Sequence, residues 1–187
     1  MTLSRKITDF VCRTDCTDEN ERSVIEFGVG IMLAKSANII TEIIVGCMFS
    51  MLTETIIFLI AFSFLRSYAG GSHSSSSFRC YLSSTAIVAC SLLVIKYIDS
   101  FCINCIFIFS GALLCMVLAP VESRNKPLDT TEKTVYRRQA LLILLMILTV
   151  SAVSVLINAD MVFRTLSVVL AVEGVMLVEG IISLKAD

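Results

Sequence analysis

The sequence predicts an all-α integral membrane protein, a polytopic helical bundle with a short N-terminal helical hairpin followed by four full spans, which makes six hydrophobic helices. Three observations predict this class: 56% of the 187 residues are hydrophobic, only 17% are charged, and the mean hydropathy is +0.86. Such values place the chain in the membrane class rather than among soluble domains. Residues 1–23 are polar and charged, so we expect no cleavable signal peptide and insertion directed by the apolar segments themselves.

The first third of the chain predicts a lead-in and then the hairpin. Residues 1–35 are expected to be cytosolic or interfacial, because residues 23–35 mix apolar side chains with Glu26 and Lys35 in the manner of a surface-lying amphipathic helix. Residues 36–65 would measure about 45 Å as one helix, against a hydrocarbon core of about 30 Å, and are too few for two full spans. The cations at Lys35 and Arg66 indicate that the run enters and returns, turning near residues 51–54.

The remaining segments complete one membrane domain over residues 1–187. Residues 66–80 form a polar loop, residues 81–118 a pair of spans, residues 119–138 a basic cytosolic loop, and residues 139–184 a last pair around the turn at residues 158–160. This arrangement puts 13 of the 15 Lys and Arg residues on the cytosolic side, leaving Lys96 and Arg164 as the exceptions. Such an asymmetry is the usual determinant of membrane orientation, and it predicts a multi-pass protein of the cell membrane.

The polar loop contains the only histidine of the chain, His73, seven positions before Cys80. On an unbroken helix these side chains would lie about 10 Å apart along the axis, too far for a hydrogen bond. The glycine pair at residues 70–71 permits a bend that returns His73 over the start of the helix carrying Cys80. The pair then reads as a thiol nucleophile beside its base.

The surroundings of Cys80 favour its ionised form. Any serine within residues 74–77 can cap the new helix and place Cys80 in its first turns. There the positive end of the helix dipole, with Arg79 nearby, favours a thiolate. No third, orienting residue is identified, and Ser84, one turn further on, is a weak candidate that is more typical of helix packing.

Other interpretations of the same residues remain open at this point. A loop histidine is usually solvated and a boundary cysteine usually packs, so the alternative is a non-catalytic membrane protein, such as a peptide exporter or binding subunit whose Gly/Ser loop is a hinge. Cys102 and Cys105 have a redox spacing but lack a thioredoxin-like context. One histidine with scattered thiols forms no metal ligand set, so neither a metal nor another cofactor is expected. The basic loop lacks interleaved aromatics, which argues against a nucleic-acid partner.

Residues 66–83, Arg-Ser-Tyr-Ala-Gly-Gly-Ser-His-Ser-Ser-Ser-Ser-Phe-Arg-Cys-Tyr-Leu-Ser, resemble the signature of the accessory gene regulator protein B (AgrB) family, the membrane cysteine endopeptidases of Gram-positive quorum sensing. The pattern is Arg, Gly, His, six residues and Cys. A second match is the Ala-Pro pair at residues 119–120 followed by Arg124, Lys126 and Pro127. The resemblance covers nearly the whole chain from about Ser23 onward.

The resemblance implies a reaction and a substrate. Cys80 would act as nucleophile and His73 as base in removing the C-terminal tail of a small quorum-sensing propeptide. The peptide would remain on Cys80 as a thioester until an internal Cys or Ser attacks, giving a cyclic thiolactone or lactone. Such propeptides have an amphipathic, membrane-binding leader and an acidic tail, which a basic loop containing Arg124 and Lys126 would attract. The resemblance also implies a homodimer in the lipid bilayer, and the distribution of Lys and Arg predicts an active site at the cytosolic face.

Two carboxylates complete the expected site. Glu173 lies in the middle of the last span and has a similarly placed counterpart in members of the family, which implies a contact with the substrate or with a second subunit. Carboxylates within a membrane are costly and often functional. Glu26 is the nearest substitute for a polar residue, often glutamine, that occurs on the first helix of some members, so a substrate contact is expected there as well.

Overall fold

The computed structural model describes residues 19–70, 77–122 and 129–185. These ranges contain six helices, each long and apolar enough to cross a membrane. In chain order they are α1 (Glu19–Met48), α2 (Leu52–Ala69), α3 (Ser77–Tyr97), α4 (Phe101–Leu118), α5 (Thr130–Leu156) and α6 (Asp160–Lys185). The predicted all-helical membrane fold with six hydrophobic helices is therefore confirmed.

Three short turns bring one end of every helix together. The turns at residues 49–51, 98–100 and 157–159 join α1 to α2, α3 to α4, and α5 to α6. An ion pair of 3.0 Å between the Arg164 guanidinium and the Asp99 carboxylate links the start of α6 to the turn between α3 and α4, and a cavity of about 340 Å³ lies between the turn at residues 49–51 and the adjoining ends of α3 and α6. We call this the far end. The other end carries the loops before α3 and α5, and we call it the thiol end because Cys80 lies there.

Several element boundaries differ from the expected ones. α1 runs without a break through Lys35, so the expected division between a lead-in ending at residue 35 and a hairpin starting at residue 36 is wrong. Residues 31–45 contain neither glycine nor proline, and in apolar surroundings a helix is the structure that satisfies its own backbone groups. The hairpin arms are therefore α1 and α2, and the chain turns at residues 49–51.

The two polar loops are shorter than expected. α2 continues to Ala69 and α3 begins at Ser77, while α5 begins at Thr130 rather than at residue 139. A capping box explains the early start of α5: the Asp129 side chain accepts from the Thr130 amide at 2.7 Å, and the Glu132 side chain accepts from the Asp129 amide at 3.3 Å. These bonds stabilise the first turn of a polar helix that apolar patterning alone does not reveal.

The core of the described bundle lies around α6. In the most apolar stretch of α6, 56% of the residues are buried inside the bundle, compared with 11–28% in the corresponding stretches of the other five helices. α4 packs closely against α6 at Gly111, where the absence of a side chain permits the approach. A Cβ atom there would lie only 2.2 Å from the Leu170 carbonyl oxygen. The Ser167 hydroxyl also donates to Asn104 Oδ1 at 2.6 Å across this contact. Small residues and buried polar pairs are how helices associate without water, so α4 and α6 form the packed centre of the fold.

Candidate active site

Cys80 lies in the first turn of α3, as the fourth residue of that helix. Its thiol is free and its side chain is exposed. The position confirms the prediction that Cys80 falls within the first turn of a helix following the serine run.

The proposed base falls in a segment whose structure is not described. His73 lies within residues 71–76, and Arg124 and Lys126 lie within residues 123–128. The capping serines at residues 74–76 fall in the same gap. The approach of His73 to Cys80 and the contacts of Arg124 and Lys126 therefore remain predictions from the sequence.

A backbone contact holds the two polar loops together at the thiol end. The Val121 amide donates to the Ala69 carbonyl at 2.9 Å, at the point where α2 ends. Gly70 adopts φ +82°, and a Cβ atom there would lie 2.1 Å from the Val121 carbonyl oxygen. Only glycine fits such a close approach in this backbone conformation. The segment leading to His73 is therefore fixed beside the segment leading to Arg124.

The first turns of α5 reinforce the same junction. Lys133 forms an ion pair with Glu122, and Arg137 Nη2 donates to the Met116 carbonyl at 3.4 Å near the end of α4. A cation near a helix C-terminus is stabilised by the exposed carbonyls there. The Tyr68 and Tyr136 rings meet edge to face with centroids 5.9 Å apart. Two of the predicted basic residues, Lys133 and Arg137, are thus engaged within the chain.

Two hydrogen bonds connect α1 to the turn that carries Cys80. Asn38 Nδ2 donates to Ser84 Oγ at 2.7 Å, and the Thr41 and Tyr81 hydroxyls lie 2.8 Å apart. Sequence reasoning missed both Asn38 and Thr41. Their signal was present, since two polar residues three positions apart in an otherwise apolar run share one helix face.

Ser84 acts on the backbone of this turn. Its hydroxyl lies 2.9 Å from the Cys80 carbonyl oxygen and 3.1 Å from that of Tyr81, and donates to these oxygens. The weak suggestion that Ser84 completes a catalytic triad is not tested by these contacts, which place it between α1 and the Cys80 turn. Cys102 and Cys105 are free thiols in the first turns of α4, at the far end.

Glu173 is completely buried in α6, and neither of its carboxylate oxygens has a hydrogen-bond partner among the described residues. Arg66, in the last turn of α2, is close enough for its charge to act on the Glu173 carboxylate. The Arg66 guanidinium also lies 5.7 Å above the centroid of the Phe62 ring. Glu173 therefore faces the base of the loop that contains His73.

Glu26 is half-buried on α1, twelve residues before Asn38. That separation corresponds to about 18 Å along a helix, so Glu26 lies several turns away from Asn38. A role of Glu26 in substrate contact remains a prediction. Glu179 is exposed on α6, whereas Glu42 on α1 is buried.

Comparison with known proteins settles the family. The family model for accessory gene regulator B matches residues 4–177. The chain belongs to the accessory gene regulator B family. It is 32% identical over 140 residues to the "Putative AgrB-like protein" of Clostridium perfringens (strain SM101 / Type A), covering 70% of this chain and 65% of that protein. It is also 32% identical over 142 residues to the "Putative AgrB-like protein 2" of Clostridium perfringens (strain 13 / Type A), with the same two coverages of 70% and 65%.

The chain thus spans about two thirds of the length of these curated AgrB-like relatives. No solved structure matches it. The six apolar helices indicate a multi-pass membrane protein.

Proposed function

We propose that this AgrB-family chain is a membrane cysteine endopeptidase that removes the C-terminal tail of a small propeptide and promotes cyclisation of the peptide that remains. The observation that carries the proposal is the exposed free thiol of Cys80 in the first turn of α3. Among the five described cysteines with exposed side chains, Cys80 occupies the first turn at the thiol end, beside the loop that bears the only histidine.

The reaction is an acyl transfer in two steps. The Cys80 thiolate attacks the carbonyl carbon of the scissile bond, the C–N bond breaks, and the His73 imidazolium donates a proton to the leaving amine of the tail. The peptide is then a thioester on Cys80. A Cys or Ser of the same peptide attacks that thioester, forms the thiolactone or lactone ring and returns the thiol of Cys80. A bound, shielded peptide favours this intramolecular attack over hydrolysis.

The charge of the thiol end supports an acidic tail as the segment removed. Arg138 is exposed on the first turns of α5, and Arg124 and Lys126 precede that helix in the sequence. These cations attract the acidic tail, while an amphipathic leader lies along the bilayer. Glu26 and Glu173 are proposed to contact the peptide or the subunit partner, and the working form is a homodimer in the membrane.

The distribution of cations supports a cytosolic active site. Lys96 and Arg164 lie at the far end, whereas Arg66, Arg79 and the basic start of α5 lie at the thiol end. Since cytosolic loops carry the excess of Lys and Arg, the thiol end is assigned to the cytosol. The propeptide then reaches Cys80 from the compartment in which it is made.

Co-expression with the cognate propeptide and mass spectrometry of the peptide products test the proposal. Such a propeptide has about 40 to 60 residues, a size that the resemblance implies, and its gene is sought beside that of this chain. The wild type is expected to release the tail and yield a product one water lighter than the trimmed linear peptide. Cys80→Ala and His73→Ala are expected to release no tail at normal membrane levels.

Cys105→Ala is the matched control and is expected to behave like the wild type, because Cys105 lies at the far end. Unchanged processing by Cys80→Ala or by His73→Ala removes that residue from the mechanism. Export or binding of an uncut peptide by both variants and by the wild type alike would instead support the non-catalytic alternative, a peptide exporter or binding subunit.

A further inference from the structure

We infer that α1 holds the nucleophile in place: Asn38, with Thr41, is a positioning residue that fixes the start of α3 through hydrogen bonds to Ser84 and Tyr81, which follow Cys80. The inference rests on the proposed function, since it concerns the residue assigned as nucleophile. It adds a role for the first helix that the thiol and its base do not by themselves require.

The first bond chain ends on the backbone of Cys80. Asn38 Nδ2 donates to Ser84 Oγ at 2.7 Å, and a hydroxyl has one proton of its own to donate. Ser84 directs that proton to the Cys80 carbonyl oxygen at 2.9 Å, or to that of Tyr81 at 3.1 Å. A donor on α1 thus acts on the peptide unit that carries the thiol.

In the second bond chain the donor across the interface lies on α3 and the acceptor on α1. Thr41 Oγ1 donates to the Ala37 carbonyl within α1 at 2.9 Å, so the Tyr81 hydroxyl, 2.8 Å from Thr41 Oγ1, is the donor across the interface. Tyr81 directly follows Cys80 in the sequence. The residues immediately after Cys80 and one turn after it are therefore both bonded to α1.

These two bonds join α1 to the part of α3 that directly follows Cys80. Only 11% of the residues in the most apolar stretch of α1 are buried inside the bundle, the lowest fraction of the six helices. Ile39 and Ile40, which follow Asn38, are about half exposed. Hydrogen bonds between helices are a main source of association within a membrane, where water does not compete. The two bonds are therefore expected to fix the orientation of the start of α3 toward α1.

Ser83 provides a contrast within the same turn. Its hydroxyl also donates to the Cys80 carbonyl, at 3.0 Å, but its side chain is exposed and Asn38 donates to Ser84 instead. If local bonding to the Cys80 carbonyl were sufficient, Ser83 and Ser84 would be equivalent. If the hydrogen bond to α1 is required, replacement of Ser84 should lower the rate of tail removal and replacement of Ser83 should not.

The test compares steady-state tail removal in membranes by the wild type, Asn38→Leu, Ser84→Ala, the double variant and Ser83→Ala. Displacing a nucleophile by about 1 Å costs up to a hundredfold in rate, so we expect kcat to fall about tenfold or more in both single variants with KM little changed. The double variant should be no slower than the slower single variant, because the two residues form one chain. Ser83→Ala should match the wild type, and Ser84→Thr, which keeps the hydroxyl, should retain most of the rate.

A second measurement separates positioning from folding. Alkylation of Cys80 by N-ethylmaleimide, followed by peptide mapping without propeptide, should change in rate in Asn38→Leu and Ser84→Ala but not in Ser83→Ala. If Asn38→Leu fails to accumulate, Ser84→Ala alone decides the question. Wild-type kcat and alkylation in Ser84→Ala, alongside an inactive Cys80→Ala, would overturn the inference and leave the proposed function intact. Full activity of Cys80→Ala would instead overturn the proposed function.

Discussion

Gly70 shows at the level of one residue how the site is assembled. Its backbone at φ +82° and its contact with Val121 leave no room for a side chain, and it directly precedes the segment containing His73. Glu173 is a second such residue, because a carboxylate buried in a membrane span is costly and the charge of Arg66 acts on it. Gly70 and Glu173 both lie near the end of α2, from which the segment containing His73 continues.

Replacing Gly70 by alanine is expected to separate the two loops. A Cβ atom at 2.1 Å from the Val121 carbonyl oxygen requires the backbone to move, and alanine is disfavoured at this φ. We expect tail removal to fall more than tenfold while the helices and the membrane level are retained. Gly28→Ala is the control, since nothing lies within 4 Å of its added Cβ, and equal rates in the two variants would contradict this role.

Replacing Glu173 by glutamine is expected to destabilise the bundle. The carboxylate has no hydrogen bond among the described residues, so loss of its charge near Arg66 should cost less than the about 3–5 kcal/mol typical of breaking a hydrogen-bonded buried pair. The exposed Glu179, on the same helix, is the matched control and Glu179→Gln should be neutral. Thermal unfolding in detergent measures the difference, and equal midpoints for the two variants would show that the charge of Glu173 is dispensable.

Two pairs of helices differ in how closely they are packed: α4 and α6 form the buried centre, whereas α1 and α3 include the least buried helix of the bundle. α4 and α6 meet through Gly111 and through the Asn104–Ser167 hydrogen bond, whereas α1 meets α3 through the hydrogen bonds to Tyr81 and Ser84, which follow Cys80. Cys80 therefore lies on a helix that these two hydrogen bonds join to the least buried element of the bundle. Mutations at the contact between α4 and α6 should accordingly lower the stability of the bundle. Mutations at the contact between α1 and α3 should lower the rate of tail removal.

Gly111→Ala tests the packed pair. A Cβ atom 2.2 Å from the Leu170 carbonyl oxygen forces α4 and α6 apart, and overpacking of this kind costs about 1–3 kcal/mol. We expect a lower midpoint of unfolding in detergent. Gly28→Ala again serves as the control, and a wild-type midpoint in Gly111→Ala would mean that the two helices are not in close contact.

At the scale of elements, the sequence was informative where apolar periodicity is the main signal. Hydropathy located all six helices, and the serine run located the start of α3 closely enough to put Cys80 in its first turn. It did not locate the start of α5, because the bonds of Asp129 and Glu132 that begin this helix involve polar residues of a kind that loops share. It also missed the continuity of α1 through Lys35, since one cation in an apolar run marks a membrane boundary as readily as it marks a helix interior.

Contacts between distant residues were beyond the sequence for a different reason. The bonds of Asn38 to Ser84 and of Val121 to Ala69 join positions 46 and 52 residues apart, and no local pattern specifies which segments become neighbours. Hydropathy indicated that Glu173 lies in a span, but only packing reveals that it faces Arg66. The candidate residues were therefore found one at a time, while their arrangement required the fold.

The whole molecule has two chemically different ends. The thiol end combines Cys80, the joined loops and the basic start of α5, and the far end has three tight turns and a cavity lined in part by Glu54, Lys96 and Arg164. A protein of this shape fixes where its substrate enters, because only one end carries the proposed chemistry. The orientation of the bundle in the membrane is thus part of the mechanism.

Labelling of single cysteines in intact cells tests this orientation. In a variant that lacks the native cysteines, Ser100→Cys and Asn158→Cys, both at the far end, should react with a membrane-impermeant maleimide added from outside. Thr130→Cys, at the thiol end, should react only after the cells are opened. The reverse pattern would place the proposed active site outside the cytosol and contradict the assignment.

Mapping of the acyl intermediate tests the central claim most directly. The purified protein is mixed briefly with its propeptide, quenched in acid and digested, and the site that carries the trimmed peptide is identified by mass spectrometry. We predict a hydroxylamine-labile adduct on Cys80 that is absent from Cys80→Ala. Tail release without any adduct on Cys80, or an adduct on another residue in the wild type, would contradict the account.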